Sequence, residues 1–155
     1  MDVFNIFNSP TDIPPDPDAP TGYACSLARV GPKLNATRIG MSVYELPPGQ
    51  AICPYHFEWT HEEWLIVLDG RPTLRSPDGE QKLEPGDTAC FPAGPHGAHF
   101  VRNEGDELVR VAMLSTKNEV GIVEYPDSDK LGVWVNGTHY MLRRSEQLDY
   151  WNGER

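Results

Sequence analysis

The sequence is short of positive charge, of cysteine and of long apolar runs. It holds 13 Lys and Arg against 23 Asp and Glu, a formal net charge of −10. An acidic surface repels phosphate backbones and anionic lipid surfaces, which argues against nucleic acid and membranes as partners. No stretch approaches the roughly 18 consecutive apolar residues of a membrane-spanning helix. The three cysteines, Cys25, Cys53 and Cys90, lie far apart with no C-x-x-C pair, so neither a zinc knuckle nor a redox dithiol is indicated. An odd count of separated thiols fits a reducing compartment, each packing as a small apolar group. Met1 to Asn8 (MDVFNIFN) has neither the basic region nor the apolar core of a signal peptide, so a cytoplasmic protein is expected.

What the chain has in quantity is punctuation. Its 155 residues include 15 Pro and 14 Gly, spread along the length. That density predicts many short strands joined by turns. The length suits one domain, and a domain this size buries roughly 70% of its unfolded surface. Ser9 to Gly22 (SPTDIPPDPDAPTG) cannot form a helix interior and is expected to run extended. It is either a loose terminus or an arm packed on the body of the protein or across to a second subunit.

From Ile39 onward, short apolar or alternating runs recur: Ile39–Leu46, Trp64–Leu68, Thr88–Phe91, Glu107–Leu114, Val120–Tyr125 and Leu131–Val135. Turn signals such as Pro48-Gly49, Asp69-Gly70, Pro85-Gly86 and Asn136-Gly137 separate them. This texture predicts an all-β sandwich or barrel. One helix is expected near the end, with Ser145 capping Glu146–Trp151 and Gly153 stopping it.

Two segments carry the chemistry: GQAICPYHFEWTHEEWLIVLDG from Gly49 to Gly70, and GDTACFPAGPHGAHFVRN from Gly86 to Asn103. Together they resemble the two motifs of the cupin superfamily, G-x5-H-x-H-x3,4-E-x6-G and G-x5-P-x-G-x2-H-x3-N. His56 takes the first His position, Glu58 stands where the second His belongs, Glu63 follows after four residues and Gly70 after six more. In the second motif Gly86, Pro92 and Gly94 keep the spacing, while His99 comes after four residues instead of two, with Asn103 three further on. The resemblance covers roughly residues 40 to 115.

The resemblance implies an all-β fold, the double-stranded β-helix or jelly-roll barrel. Residues 1–38 would form an N-terminal extension, 39–125 the barrel, and 126–155 a C-terminal strand and short helix. It also implies one divalent metal ion held by His56, Glu58, Glu63 and His99. Strand parity agrees for two of these, since residues i and i+2 face one side and His56 and Glu58 would both point inward. Two imidazoles and two carboxylates favour Mn, Fe, Ni or Zn over Cu(I). His61 and His96 are candidate acid–base groups near the metal. Tyr44, Tyr55, Trp59 and Phe100 are candidates for lining a substrate pocket.

The function this implies is a metalloenzyme acting on a small polar molecule, with oxidoreductase or dioxygenase chemistry placed first. Isomerisation or epimerisation of a sugar or sugar phosphate is the alternative within enzymes, and a non-enzymatic small-molecule-binding module is the alternative outside them. A homodimer is expected from the family resemblance.

Overall fold

The structure is a computed structural model and describes residues 1–154. The strands begin with β1 (Ser26–Arg29), followed by a single helical turn, α1 (Val30–Lys33). Then come β2 (Ile39–Leu46), β3 (Phe57–Glu58), β4 (Glu63–Asp69), β5 (Thr73–Ser76), β6 (Gly79–Lys82) and β7 (Thr88–Phe91). The remainder are β8 (Phe100–Arg102), β9 (Val109–Thr116), β10 (Val120–Tyr125), β11 (Lys130–Val135) and β12 (Thr138–Arg143). All six runs read as strands form strands, three of them with the expected bounds. The run placed at Glu107–Leu114 slides two residues, to Val109–Thr116. The strands that periodicity did not mark are short or solvent-covered; β6 (GEQK), for example, is exposed along its whole length.

All pairings are antiparallel. The strands form a five-stranded sheet in the order β1-β2-β9-β4-β7, a four-stranded sheet, β12-β11-β10-β3, and a three-stranded one, β6-β5-β8. Leu46, Leu65, Val67, Val109 and Val111 of the large sheet meet Leu74 and Val101 of the small one in the main core. This is the jelly-roll arrangement expected of the motifs.

β9 shows why its sequence reads as continuous rather than alternating. Val109, Arg110, Val111 and Ala112 are all buried, because both faces of the strand are covered. The inner face meets the core. The outer face, with Val43, Leu68 and Ala112, is covered by Phe4 and Ile6 from the first residues of the chain. Arg110 fastens that cover: its Nε donates to the Ile6 carbonyl at 2.8 Å, its Nη2 to the Ser9 carbonyl, and it pairs with Glu45. Further on, Ile13 bridges Leu27, and the Ala51 N–H donates to the Gly22 carbonyl at 2.8 Å. The Pro-rich arm is therefore packed on its own barrel.

The C-terminal helix does not form. After β12 the chain runs through turns to its end, with no helix over 146–151. Ser145 spends its hydroxyl and its N–H on the Asp129 carboxylate instead of capping. Leu148, Tyr150 and Trp151 are exposed, so no apolar face docks to stabilise a segment too short to be helical alone.

Candidate metal centre

His56 and His99 are backbone partners. The His56 N–H donates to the His99 carbonyl at 3.1 Å, and the His99 N–H returns the bond at 2.8 Å. Directly paired residues project to the same face, which sets the two imidazole centroids 4.5 Å apart inside the barrel. Glu63 reaches them from β4 of the large sheet, where Leu65 and Val67 continue the same inward face. Its Oε2 lies 3.6 Å from the Nε2 of each histidine.

The imidazoles are held by their other nitrogens. His56 Nδ1 lies 3.0 Å from the Pro54 carbonyl, and His99 Nδ1 lies 2.9 Å from the Gly97 carbonyl. A carbonyl only accepts, so each Nδ1 carries a proton and, in the neutral ring, each Nε2 presents its lone pair to Glu63. Phe91 stacks on His99 with centroids 3.7 Å apart, and Tyr125 stacks on His56 at 5.8 Å. His99 Nε2 and Glu63 Oε2 are buried polar atoms with no hydrogen-bond partner. Such groups are costly unless something satisfies them.

The three donor atoms lie within 4.8 Å of one another. An ion bound at about 2.0–2.2 Å from each would have its ligands at similar mutual spacing. The donor set therefore fits a divalent metal, and it is the only cluster of this kind among the described residues.

The charges lean the same way. Burial works against a charged His56, but Cys53 and the Glu63 carboxylate outweigh it and hold its pKa up at about 11. Burial and the charge on His56 push His99 down to about 4. Burial would raise Glu63, yet the two histidines keep it below the usual carboxylate range. Tyr125, half-buried beside them, is pushed up to about 12 by burial and stays a neutral phenol.

Glu58, expected as a fourth ligand, stands outside this group. Its Oε2 lies 3.2 Å from His61 Nδ1, and burial raises its pKa above the ordinary value. Glu58 feels the charges of Glu63 and His56, but its carboxylate is taken by His61 and lies apart from the three clustered donors. His56 pairs with His99, whereas Phe57 and Glu58 pair with β10. His61 is absorbed by Glu58, by the Thr60 hydroxyl at 3.1 Å and by the Asn118 N–H at 3.3 Å. His96 is exposed on a short 3-10 turn, Pro95–Gly97, which takes up the two extra residues of the second motif and brings His99 back into place.

Asn103 is structural. Its Nδ2 donates to the Leu46 and Glu107 carbonyls at 2.8 and 2.7 Å, and its Oδ1 accepts from the Gly105 N–H.

Of the aromatic candidates, Tyr44 lines a cavity of about 480 Å³ between the arm and the barrel. Tyr55 and Phe100 line an adjoining one of about 200 Å³. Trp59 does not join them; it is exposed, with its indole N–H donating to Glu124. Sequence reasoning missed Tyr125, Phe91 and Cys53, whose Sγ lies 3.5 Å from His56 Nδ1. Their contacts with the histidines arise only from folding, and no motif marks them.

The comparisons with known proteins agree with this architecture. The family profile described as "Cupin domain" matches residues 42–115. A solved structure from Acidithiobacillus ferrooxidans superposes with a TM-score of 0.77 at 23% identity, over 83% of this chain and 81% of that one. A sugar phosphate isomerase of the cupin superfamily from Silicibacter pomeroyi gives 0.76 at 24% identity, over 81% of each chain. A polyketide cyclase from Streptomyces resistomycificus gives 0.59 at 20% identity, over 75% of this chain and 79% of that one. At these identities the likeness speaks to fold alone. No protein with a curated description matches the sequence. The family match over residues 42–115, with both ordered motifs inside it, shows that this segment of the chain is a cupin domain.

Proposed function

We propose that this cupin holds one divalent ion, Mn, Fe, Ni or Zn, through His56, Glu63 and His99, and is a metalloenzyme acting on a small polar molecule. The observation that carries the reading is the pair of buried, unpartnered donor atoms, His99 Nε2 and Glu63 Oε2, aimed at one point. Two histidines and one carboxylate leave coordination positions open, the pattern used by non-haem Fe(II) oxygenases, which supports oxidoreductase chemistry as the first reading. When bound, such an ion supplies a Lewis acid that polarises a substrate oxygen.

The chain's own residues do the rest. Pro54 and Gly97 fix both imidazole tautomers, Phe91 and Tyr125 hold the ring planes, and the apolar core below excludes water.

A second reading is isomerisation of a sugar or sugar phosphate. It is favoured by the name of the Silicibacter pomeroyi neighbour, which shares the fold over most of both chains.

The test is elemental analysis of protein purified without added metal. About one ion per chain is expected for the wild type and for His96→Ala and Glu58→Gln. A sharp loss is expected for His99→Ala and Glu63→Gln with the fold retained. Metal-free wild type, or full stoichiometry in His99→Ala, counts against this centre. Oxygen uptake and aldose–ketose interconversion by the loaded protein then separate the two reaction classes.

A further inference from the structure

We propose that the cavity between the arm and the barrel binds an organic oxyanion, a carboxylate or a phosphate ester, with Lys130 as its anchor. The inference rests on the metal-centre reading only for why a ligand belongs there.

The cavity, about 480 Å³, is of metabolite size. It abuts the centre through Cys53, which lines it and touches His56. Lys130 opens β11 and lies on the border between this cavity and the adjoining one. Its Nζ sits 4.9 Å from the Tyr125 ring centroid, and Tyr125 in turn stacks on His56. The ammonium is thus one aromatic ring away from the candidate ligand sphere.

What singles out Lys130 is partial burial without an ion pair; Arg29, Arg38, Lys82 and Lys117 also form none among the described residues, but they are exposed. Around the barrel, Arg75 pairs with Asp127, Arg102 with Glu80 and Glu104, and Arg110 with Glu45. Lys130 is half-buried and has no ion pair among the described residues. A partly desolvated ammonium without a counter-ion is unfavourable, and an incoming oxyanion supplies what is missing. Arg29, on the wall of the same cavity and likewise without an ion pair among the described residues, adds a second positive charge.

Asp16 and Asp18 of the arm also line the cavity, and they bear on the ligand's other end. Both are exposed, and one Asp16 oxygen already accepts the Asp18 N–H at 2.9 Å. In water their repulsion of an anion at Lys130 is screened. As acceptors they suit hydroxyl groups. The combination selects a hydroxylated small molecule with an oxyanion at one end.

Isothermal titration calorimetry tests this, using glucose 6-phosphate, gluconate and uncharged glucose on metal-loaded protein. We expect one or both anions to bind, glucose to bind about tenfold more weakly or worse, and added salt to weaken the anions. Lys130→Ala should cost about tenfold or more in anion affinity, and Lys130→Arg should retain most of it. Binding by glucose 6-phosphate alone assigns the phosphate class, and by gluconate alone the carboxylate class. Equal binding of glucose, an unchanged affinity in Lys130→Ala, or no anion binding at millimolar concentration overturns the proposal. Metal content measured on the same samples keeps the two readings apart. Failure of the centre shows as missing metal in the wild type, and failure of the anchor shows only in the titrations.

Discussion

At the scale of single residues, the candidate centre is a charge problem solved by position. With no ion bound, Glu63 is ionised and His56 carries a proton, its pKa held at about 11. A metal must displace that proton. Affinity should therefore fall as pH drops, by about tenfold per unit across neutral pH, with close to one proton released per ion. Calorimetric titration in buffers of different ionisation enthalpy reads this number directly, and a pH-independent affinity would remove His56 from the ligand set.

His99 sets the stability of the metal-free protein. Its pKa is lowered to about 4 in the fold, against 6.5 for an ordinary histidine. Below 6.5 the unfolded chain takes up a proton that the folded one refuses. The stability present above pH 6.5 is therefore lost as pH falls towards 4, by on the order of 3 kcal/mol. Denaturant melts of chelator-treated protein across that window should show the decline, and His99→Gln should flatten it. Bound metal should raise stability by about 2.7 kcal/mol at a hundredfold excess over its dissociation constant.

At the scale of elements, the decisive pieces are irregular ones. The 3-10 turn Pro95–Gly97 carries the two inserted residues of the second motif, and its glycine has no room for a side chain. A Cβ on Gly97 would meet the Pro92 carbonyl oxygen at 1.9 Å, a backbone atom that cannot swing aside. The Gly97 carbonyl also fixes His99 Nδ1. Gly97→Ala should therefore misplace His99 as well as destabilise the turn. The expected result is a melting temperature lowered by several degrees and a metal content reduced with it; normal content in a destabilised variant would uncouple turn from ligand. Gly70, at the end of the first motif, is constrained in another way. Its φ is +76°, and a Cβ there would lie 2.7 Å from the Leu108 carbonyl oxygen.

At the scale of the whole molecule, the first residues work as an outer cover. Phe4 and Ile6 seal the large sheet, and Arg110 straps them down through two carbonyls. Arg110→Ala leaves those carbonyls and Glu45 with fewer partners, at a cost on the order of 2 kcal/mol. Limited proteolysis should then cut the variant near residues 1–10 faster than the wild type; equal rates would mean that apolar contacts alone hold the cover. Assembly follows from family resemblance, which sets a homodimer as the expectation. Light scattering at tens of micromolar tests it, and a mass of 17.4 kDa counts against it.

The sequence by itself determined the fold class and half of the strands. Pro and Gly punctuate at short range, and period-two alternation is a local property of the chain. It also supplied His56, Glu63 and His99, because motif spacing reports which strand carries each donor. Tertiary structure alone decided where the local rules stop applying. Glu58 stands apart from the clustered donors because His61, held from across the fold by the Asn118 N–H, takes its carboxylate. The expected C-terminal helix lost its cap to Asp129, fixed sixteen residues earlier in the chain by a left-handed turn. Tyr125 came beside His56 through long-range pairing, across a sequence gap that no motif spans, and brought its hairpin partner Lys130 with it. Local spacing encodes what a strand presents, whereas long-range pairing decides what it is presented to.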